Sequence, residues 1–264
     1  MTSSRSFTRR RAGHEAGREP ERGEELGMMS AVELKLLSAL AMREAYLELI
    51  PQYEEANGQE VAITWAGTVD IVKRIEAGEH YDLVVASRGA IDGLIKLGKI
   101  TLTGLLDVAG SGIGVAVRHG APRPDISSAE LLKRAVIAAK TIGYSTGPSG
   151  VYLAGLFERM GIAEDIKTKV RGVPSGGTIS TIVASGEAEI GFQQISGLVH
   201  AQGIDFIGPL PAEVQYITVI TAGVPTDAKD PIAAQALARF LAASTSKRAI
   251  ERAGLQMAYT QASK

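Results

Sequence analysis

Between residues 33 and 98 the chain alternates short apolar runs with stretches of helical apolar spacing, and a glycine follows each helical stretch. A short apolar run predicts a strand buried on both faces, whereas apolar residues at i, i+3 and i+4 predict a helix. The glycine supplies the left-handed conformation that ends a helix. The predicted strands cover 33–38, 61–65 and 81–86, and the predicted helices cover 43–57, 70–77 and 89–97. This order is typical of a parallel sheet with helices on both faces.

A strand at 112–118 breaks the alternation and starts a second series. The pattern predicts helices at 128–140, 151–160 and 178–185, and strands at 169–173, at 188–193 and near Phe206. A β-branched strand at 214–222 follows, and the tail is predicted to form helices at 231–243 and 247–252. The sequence therefore predicts an α/β protein of two lobes, joined by two crossing strands and separated by a cleft. The lobes are expected at 31–114 with 218–264, and at 115–217.

Three turns from a predicted strand into a predicted helix consist of small residues, at 143–150, at Gly67-Thr68 and at 173–177. Such a turn exposes backbone N–H groups at the positive end of the helix dipole, and this favours an anion. Hydroxyl groups in the turns add further donors. An ordinary capped helix is the alternative for each single turn. The repetition predicts one anion that is held from several sides.

The composition excludes several classes of function. The chain has 264 residues and a formal net charge of −1, so it has no basic excess to neutralise the phosphates of a nucleic acid. It has no cysteine, which excludes disulfides, thiolate zinc sites and cysteine catalysis. The four histidines lack metal-ligand spacing, and the small-residue turns lack the P-loop and dinucleotide patterns. We therefore expect neither a metal nor another cofactor.

Residues 1–30 are predicted to form a disordered arm, because the first 27 residues carry six arginines and five glutamates and almost nothing apolar. This segment lacks the apolar core of a signal peptide, and no run reaches the roughly 18 apolar residues of a membrane span. As written, the protein is expected in the cytoplasm. A start at Met28 or Met29 with another export route would place it in the periplasm.

Five short segments occur in a specific order over residues 33–260: Leu37-Ser-Ala, Ala66-Gly-Thr, Arg74-Ile-Glu-Ala-Gly-Glu-x-x-Asp-Leu-Val-Val, Gly147-Pro-Ser-Gly and Gly186-Glu-Ala-Glu-Ile-Gly. In this order they resemble the periplasmic substrate-binding proteins of molybdate type. The resemblance implies the type II binding-protein fold, in which hydroxyl and backbone N–H groups on four loops surround a tetrahedral oxyanion.

The resemblance also implies ligand-binding positions in this chain: Ser38, Thr68, Ser149, Gly150, Ser175, Gly176, Gly177 and Gln194. Thr68 keeps the hydroxyl of the second loop. The serine of the first loop falls at Ala41, which has no hydroxyl, and the tyrosine that closes a molybdate site falls near Gln194. These two departures count against molybdate itself.

Arg43 and Arg88 stand where a predicted helix begins and where the third strand ends, so both are candidates for the cleft. A guanidinium pairs bidentately with a carboxylate, and two such groups favour a carboxylate ligand. Solvated surface arginines are the alternative. Gln193 and Gln194 follow a buried strand, and because side chains alternate along a strand, only one of the two is expected to face the cleft.

The expected function is that of a monomeric solute-binding protein of ABC-transporter type, without catalysis, that closes on a small oxyanion or a di- or tricarboxylate and has an ABC permease as its partner. The loops also resemble the branch that includes the bacterial aconitate isomerase, so a cytoplasmic isomerase of aconitate-like tricarboxylates is the alternative. A sensor that regulates a partner is a third hypothesis. An isomerase needs a base, for which Tyr152 and His119 are the candidates. No catalytic set is readable, and no catalytic residue is assigned.

Overall fold

The computed structural model describes residues 33–173 and 178–258, which form two sheets flanked by helices. The strands are β1 (Leu34–Ala39), β2 (Val61–Ala66), β3 (Leu83–Ser87), β4 (Leu106–Ser111), β5 (Ile113–Arg118), β6 (Ile142–Ser145), β7 (Val170–Val173), β8 (Ile190–Gln194), β9 (Ile204–Pro209), β10 (Thr218–Gly223) and β11 (Gln256–Met257). The helices are α1 (Arg43–Asn57), α2 (Thr68–Glu76), α3 (Arg88–Lys96), α4 (Ala129–Ala138), α5 (Pro148–Arg159), α6 (Ala163–Ile166), α7 (Ile179–Ala184), α8 (Pro231–Ala242) and α9 (Lys247–Arg252).

The first sheet has the strand order β11-β4-β10-β3-β1-β2. β1 lies parallel to both β2 and β3, whereas β10 is antiparallel to β3 and β4. Parallel strands need a crossover, which α1 supplies between β1 and β2 and α2 supplies between β2 and β3. The carboxyl ends of β1, β2 and β3 therefore meet at one edge of the sheet, where α1, α2 and α3 begin.

The second sheet has the strand order β7-β6-β8-β5-β9. β6 is parallel to β7 and β8, and β5 is antiparallel to β8 and β9. The carboxyl ends of β6 and β8 thus lie together, as those of β1 and β2 do in the first sheet. The segment after each of them leads into a helix or a 3-10 turn.

Both sheets are covered on their two faces, so successive residues of a central strand enter different cores. Leu36 packs with Tyr46 and Leu237 on one face of the first sheet, and Leu37 enters the cluster on the other face. In the second sheet Val115 packs in the cluster with Phe157, and its neighbour Ala116 lies in the opposite cluster. This arrangement explains why the strand segments are nearly continuous apolar runs.

Two segments of the chain connect the two sheets, and one side chain forms hydrogen bonds between these connecting segments. Only Gly112 separates β4 from β5, and Gln215 lies in the segment that returns from β9 to β10. The Gln215 amide accepts a hydrogen bond from the Ile113 N–H at 2.9 Å and donates one to the Ile113 carbonyl at 3.0 Å. A Cβ at Gly112 would lie 3.2 Å from Ile195 and 3.3 Å from Ile217, so the passage is closely packed.

The predicted α/β class and the first helix agree with the structure. α1 spans the predicted residues 43–57, and Gly58 ends it with a φ of 63°. Gly78 and Gly98 follow α2 and α3 with φ values of 84° and 69°. None of the helices in the described ranges is long and apolar enough to cross a membrane.

Four strand predictions need correction. The sequence pattern does not predict β4 and β11, because neither is a local apolar run. β4 forms by pairing with β10 and β11, and β11 forms by pairing with β4. β6 includes Gly143, Tyr144 and Ser145, which the sequence pattern assigns to a loop. The predicted strand at 214–222 begins only at Thr218, since 212–214 forms a 3-10 turn. The predicted arm at 1–30 lies outside the described residues, and the lobe boundaries stay a prediction.

Candidate functional site

A cleft of about 560 Å³ lies where the carboxyl ends of strands from both sheets meet. From the first sheet it is lined by residues that follow β1 and β2, and from the second sheet by residues that follow β6 and β8. Small-molecule sites in proteins occupy roughly 300–1,000 Å³, and open α/β sheets bind ligands at this edge. The cleft is therefore the candidate functional site.

Three helices begin at this cleft, and no side chain caps their amino termini. α1 begins at Arg43, α2 at Thr68 and α5 at Pro148, and all three of these residues line the cleft. The residues that precede these helices provide no side-chain cap in the described structure. The first N–H groups of α2 and α5 thus remain available, whereas the Arg43 N–H at the start of α1 donates to the Leu40 carbonyl of the preceding 3-10 turn. The positive ends of these helix dipoles favour a bound anion.

Arg43 supplies the cleft with a free positive charge. Its guanidinium is exposed and makes no hydrogen bond or ion pair with any residue that the structure describes. Its five N–H donors are therefore free to pair bidentately with a carboxylate. Glu44 and His200 are the other ionisable side chains of the cleft wall in the described ranges.

Three buried serines line the cleft from the second sheet. Ser149 is 4% exposed, Ser180 6% and Ser196 8%, and they come from α5, α7 and the 3-10 turn at 195–197. None of their hydroxyls has a hydrogen-bond partner within the described part of the chain, and that of Ser196 is fully covered. An unpaired buried hydroxyl costs about 1–3 kcal/mol. This cost falls on Ser196, whereas the hydroxyls of Ser149 and Ser180 are not fully covered and can donate to a ligand in the cleft.

The two glutamines that end β8 both line the cleft, although the alternation along a strand predicts only one. The Gln193 side-chain oxygen accepts a hydrogen bond from the Ile179 N–H at 3.1 Å and so holds the start of α7. Gln194 is the last residue of β8, where the chain turns into the 3-10 segment. Its amide is without a hydrogen bond to the residues described, and remains available to a ligand.

The structure brings together four of the predicted ligand-binding residues at the cleft: Arg43, Thr68, Ser149 and Gln194. Ser38 is completely buried in β1 and does not line the cleft; its hydroxyl donates to the Ala39 carbonyl at 3.4 Å. The predicted contacts at Ser175, Gly176 and Gly177 lie outside the described residues.

Gly150 lies behind the cleft wall, and its role in the structure is close packing. A Cβ at this position would lie 1.5 Å from the backbone oxygen of Ser145. The first turn of α5 can therefore pack against the end of β6 only because residue 150 has no side chain. Gly150 allows Ser149 to reach the cleft without itself lining it.

Arg88 does not share the cleft with Arg43. It lines a second cavity of about 610 Å³, and its guanidinium pairs with Asp92 at 2.9 Å and with Asp107 at 3.4 Å. These partners raise the pKa of Arg88. Because both carboxylates already occupy the guanidinium, Arg88 is placed to hold α3 and β4 together rather than to receive a ligand of the cleft.

The two candidate bases also lie away from the cleft. The Tyr152 hydroxyl donates to the Val214 carbonyl at 3.0 Å, and its ring stacks on Tyr216 with centroids 4.7 Å apart. His119 is 78% exposed and contacts Asp205 through Nδ1 at 2.8 Å. The Gly120 N–H and then this imidazole lower the pKa of Asp205. Both residues thus have structural partners.

Sequence reasoning missed seven polar residues of the cleft: Glu44, Thr178, Ser180, Thr181, Ser196, His200 and Gln202. Ser180 and Thr181 lie in the first turn of α7, and a hydroxyl pair at a helix start was a usable signal. Ser196 and His200 have no such signal, because they follow β8 in a segment without a small-residue turn. Only the position of β8 in the sheet brings them to the cleft.

Among the described residues no three acidic or histidine side chains are grouped as metal ligands.

Several known proteins resemble this chain in sequence or in fold. A family model for bacterial extracellular solute-binding proteins matches residues 34–256. An aconitate isomerase from a Pseudomonas species is 34% identical over 229 residues, which are 84% of this chain and 87% of that protein. The periplasmic molybdate-binding protein of Azotobacter vinelandii superposes with a TM-score of 0.72 at 16% identity, over 85% of this chain and 99% of the other. The sulfate-binding protein SubI of Mycobacterium tuberculosis H37Rv superposes with a TM-score of 0.70 at 14% identity, over 86% of this chain and 88% of SubI.

The structural likenesses confirm the predicted architecture, a type II periplasmic-binding-protein fold with two mixed sheets flanked by helices. At such low identities they show the fold alone. The family model, in contrast, covers almost all the described residues, and the isomerase exceeds 30% identity over most of both chains. The chain therefore belongs to the family of bacterial extracellular solute-binding proteins.

Proposed function

We propose that this protein is a solute-binding protein whose cleft closes on a small di- or tricarboxylate anion. The observation that carries the proposal is the free Arg43 guanidinium at a cleft where three uncapped helices begin. A fixed positive charge with several N–H and hydroxyl donors matches a ligand with more than one carboxylate. As a receptor of ABC-transporter type, the protein would deliver this anion to a permease.

Three features support a carboxylate over a tetrahedral oxyanion such as molybdate. Ala41 lines the cleft where the resemblance places a serine, and Gln194 lines it where the resemblance places a tyrosine. Arg43 adds the charge that pairs with a planar carboxylate.

The proposal is tested by thermal unfolding of the full chain against molybdate, sulfate, citrate, tricarballylate, cis-aconitate and trans-aconitate. A ligand that binds only the folded state at a hundredfold excess over its Kd adds about 2.7 kcal/mol to the free energy of unfolding. We expect the melting temperature to rise with the polycarboxylates and to stay unchanged with molybdate and sulfate. A rise with molybdate alone would refute the carboxylate assignment.

Two matched variants test the role of the guanidinium. Arg43→Gln should weaken binding of the carboxylate at least tenfold, because a charge-assisted pair contributes about 1.5–3 kcal/mol. Arg88→Gln is the control, since it makes the same change at an arginine already paired with Asp92 and Asp107. It should lower stability slightly and leave the affinity unchanged. Equal losses of affinity in both variants would count against the assigned cleft.

The second candidate function is an isomerase acting on aconitate-like tricarboxylates. It is favoured by the similarity to the Pseudomonas aconitate isomerase over 87% of that protein. The cleft also contains two groups that could move a proton, Glu44 and His200. Incubation with trans-aconitate, followed by proton NMR for cis-aconitate, decides between receptor and enzyme. A receptor has to act outside the cytoplasmic membrane, whereas an isomerase could act on either side of it.

A further inference from the structure

His200 lines the same cleft as Arg43, and among the described residues it is the histidine of the cleft wall. It lies after the 3-10 turn at 195–197, in a segment that packs against the end of α9: a Cβ at Gly254 would lie 2.9 Å from Val199 and 3.2 Å from Ile195. The backbone that carries His200 is thus held by contacts from the other side of the fold.

One hydrogen bond determines which nitrogen of His200 carries the proton. His200 Nε2 lies 2.8 Å from the backbone oxygen of Arg252. A carbonyl oxygen can only accept, so Nε2 donates and carries the hydrogen. In the neutral ring Nδ1 is then the nitrogen with a free lone pair, and it has no partner within the ranges that the structure describes. This is the state that a general base requires.

We propose that His200 transfers the proton in an allylic isomerisation of the bound tricarboxylate, an inference that rests on the isomerase candidate given above. The substrate class is a tricarboxylate with a carbon–carbon double bond next to a methylene carbon. Nδ1 removes one proton from the methylene carbon, and the electron pair of that C–H bond forms the new double bond. The electrons of the old double bond move to its far carbon, which takes the proton back from Nδ1. One C–H bond breaks and one forms, and no oxidant or reductant takes part.

The remaining groups of the cleft suit the charge that develops during this transfer. Removal of a proton from carbon adds negative charge, which spreads over the allyl carbons and the attached carboxylate. The Arg43 side chain and the starts of α2 and α5, which no side chain caps, face this cleft and stabilise such charge. An imidazole that acts as a base carries no negative charge, unlike a carboxylate, so it adds no repulsion to a ligand that is already anionic.

Glu44 is the competing base, because its carboxylate also lines the cleft in the first turn of α1. Two observations favour His200. The Glu44 carboxylate is negatively charged next to Arg43 and would repel a polycarboxylate. No hydrogen bond orients Glu44 in the described structure, whereas the Arg252 carbonyl holds the His200 ring in the required tautomer.

The test is the variant His200→Gln, whose side-chain amide N–H keeps a donor for the Arg252 carbonyl while the base is lost. We expect kcat for trans-aconitate to fall by about 10²- to 10⁴-fold, the usual contribution of a general base. The thermal shift with trans-aconitate should stay as in the wild type. In D2O the wild type should place deuterium on the methylene carbon whenever the Nδ1 proton exchanges with solvent before it is returned. A single retained base predicts less than one deuterium per turnover, and His200→Gln should place none.

His119→Asn is the matched control, because His119 is exposed, lies away from the cleft and contacts Asp205. It should retain wild-type turnover and exchange. Full turnover in His200→Gln would overturn the proposal, as would loss of turnover and exchange in Glu44→Gln alone. A wild-type protein that binds trans-aconitate but neither converts it nor exchanges its methylene hydrogens would overturn both the isomerase and this role. If the wild type binds no tricarboxylate at all, the ligand assignment itself fails.

Discussion

Tyr46 shows how burial controls the chemistry of a single residue. It lies on α1, is completely buried, and its ring centroid is 6.4 Å from that of Trp65. Its hydroxyl has no hydrogen-bond partner in the described structure. Desolvation by burial raises the pKa of Tyr46 far above its ordinary value, because the phenolate would lose its hydration. The side chain therefore contributes apolar packing and leaves one polar atom unsatisfied.

The variant Tyr46→Phe is predicted to be as stable as the wild type at pH 7 or up to about 1 kcal/mol more stable, since it removes no hydrogen bond. Below about pH 10 the residue is neutral in both states and has no effect on the pH dependence. Above that pH only the unfolded state ionises, so wild-type stability falls, and the variant should lose less. Urea unfolding at pH 7 and at alkaline pH measures both effects. A marked loss at pH 7 would mean that the hydroxyl binds a buried water.

Among the secondary-structure elements, α5 depends most directly on one glycine. Gly150→Ala would place a methyl group 1.5 Å from the Ser145 backbone oxygen, so the start of α5 would have to move away from β6. We predict a loss of about 3 kcal/mol in the free energy of unfolding, and weaker ligand binding because Ser149 moves with the helix.

Gly93→Ala is the control, because Gly93 lies inside α3 with nothing within 4 Å of its added Cβ. It should gain about 0.5–1 kcal/mol. Denaturant unfolding of both variants checks the difference, and losses of equal size would contradict it.

At the scale of the whole molecule, the hydrogen bonds between the two connecting segments limit how the sheets move relative to each other. Gln215 bonds both backbone groups of Ile113, which is fully buried. We predict that Gln215→Ala lowers stability by about 1–3 kcal/mol, because the Ile113 N–H loses its partner. The Ile113 carbonyl keeps a hydrogen bond from the Leu210 N–H at 2.9 Å. It should also broaden the distribution of distances between the sheets. Closure of the cleft on a ligand would then become less favourable.

The chain has no cysteine, so Lys96→Cys on α3 and Glu158→Cys on α5 would provide unique labels for single-molecule energy transfer. The ligand-free distance distribution should be broader in Gln215→Ala than in the labelled parent. Gln52→Ala is the matched control, since it removes an exposed glutamine with a local bond to Glu48 on α1. An unchanged distribution in Gln215→Ala would show that packing around Gly112 alone holds the passage.

Local signals predicted the parts of the fold that local interactions stabilise. α1 was predicted to the residue because its apolar spacing and Gly58 are properties of neighbouring positions. β4 was not predicted, because its residues form a strand only by pairing with β10 and β11. The paired residues of β10 and β11 lie more than a hundred positions from β4 in sequence. The same division applies to the cleft. Thr68 and Ser149 are predictable from small-residue turns, whereas Ser196 and His200 are not.

The sequence by itself determined the alternation of strands and helices, the α/β class, the anion-type turns at 67–68 and 143–150, and the absence of cysteine chemistry. These properties follow from periodicity, turn residues and composition, which act over a few neighbouring positions. The tertiary structure alone decided which polar groups share the cleft. It separated Arg88 from Arg43 by pairing Arg88 with Asp107, and it brought His200 to the cleft while the Arg252 carbonyl oriented the ring. Such pairings depend on distances between residues that are far apart in sequence, and only the packed fold determines those distances.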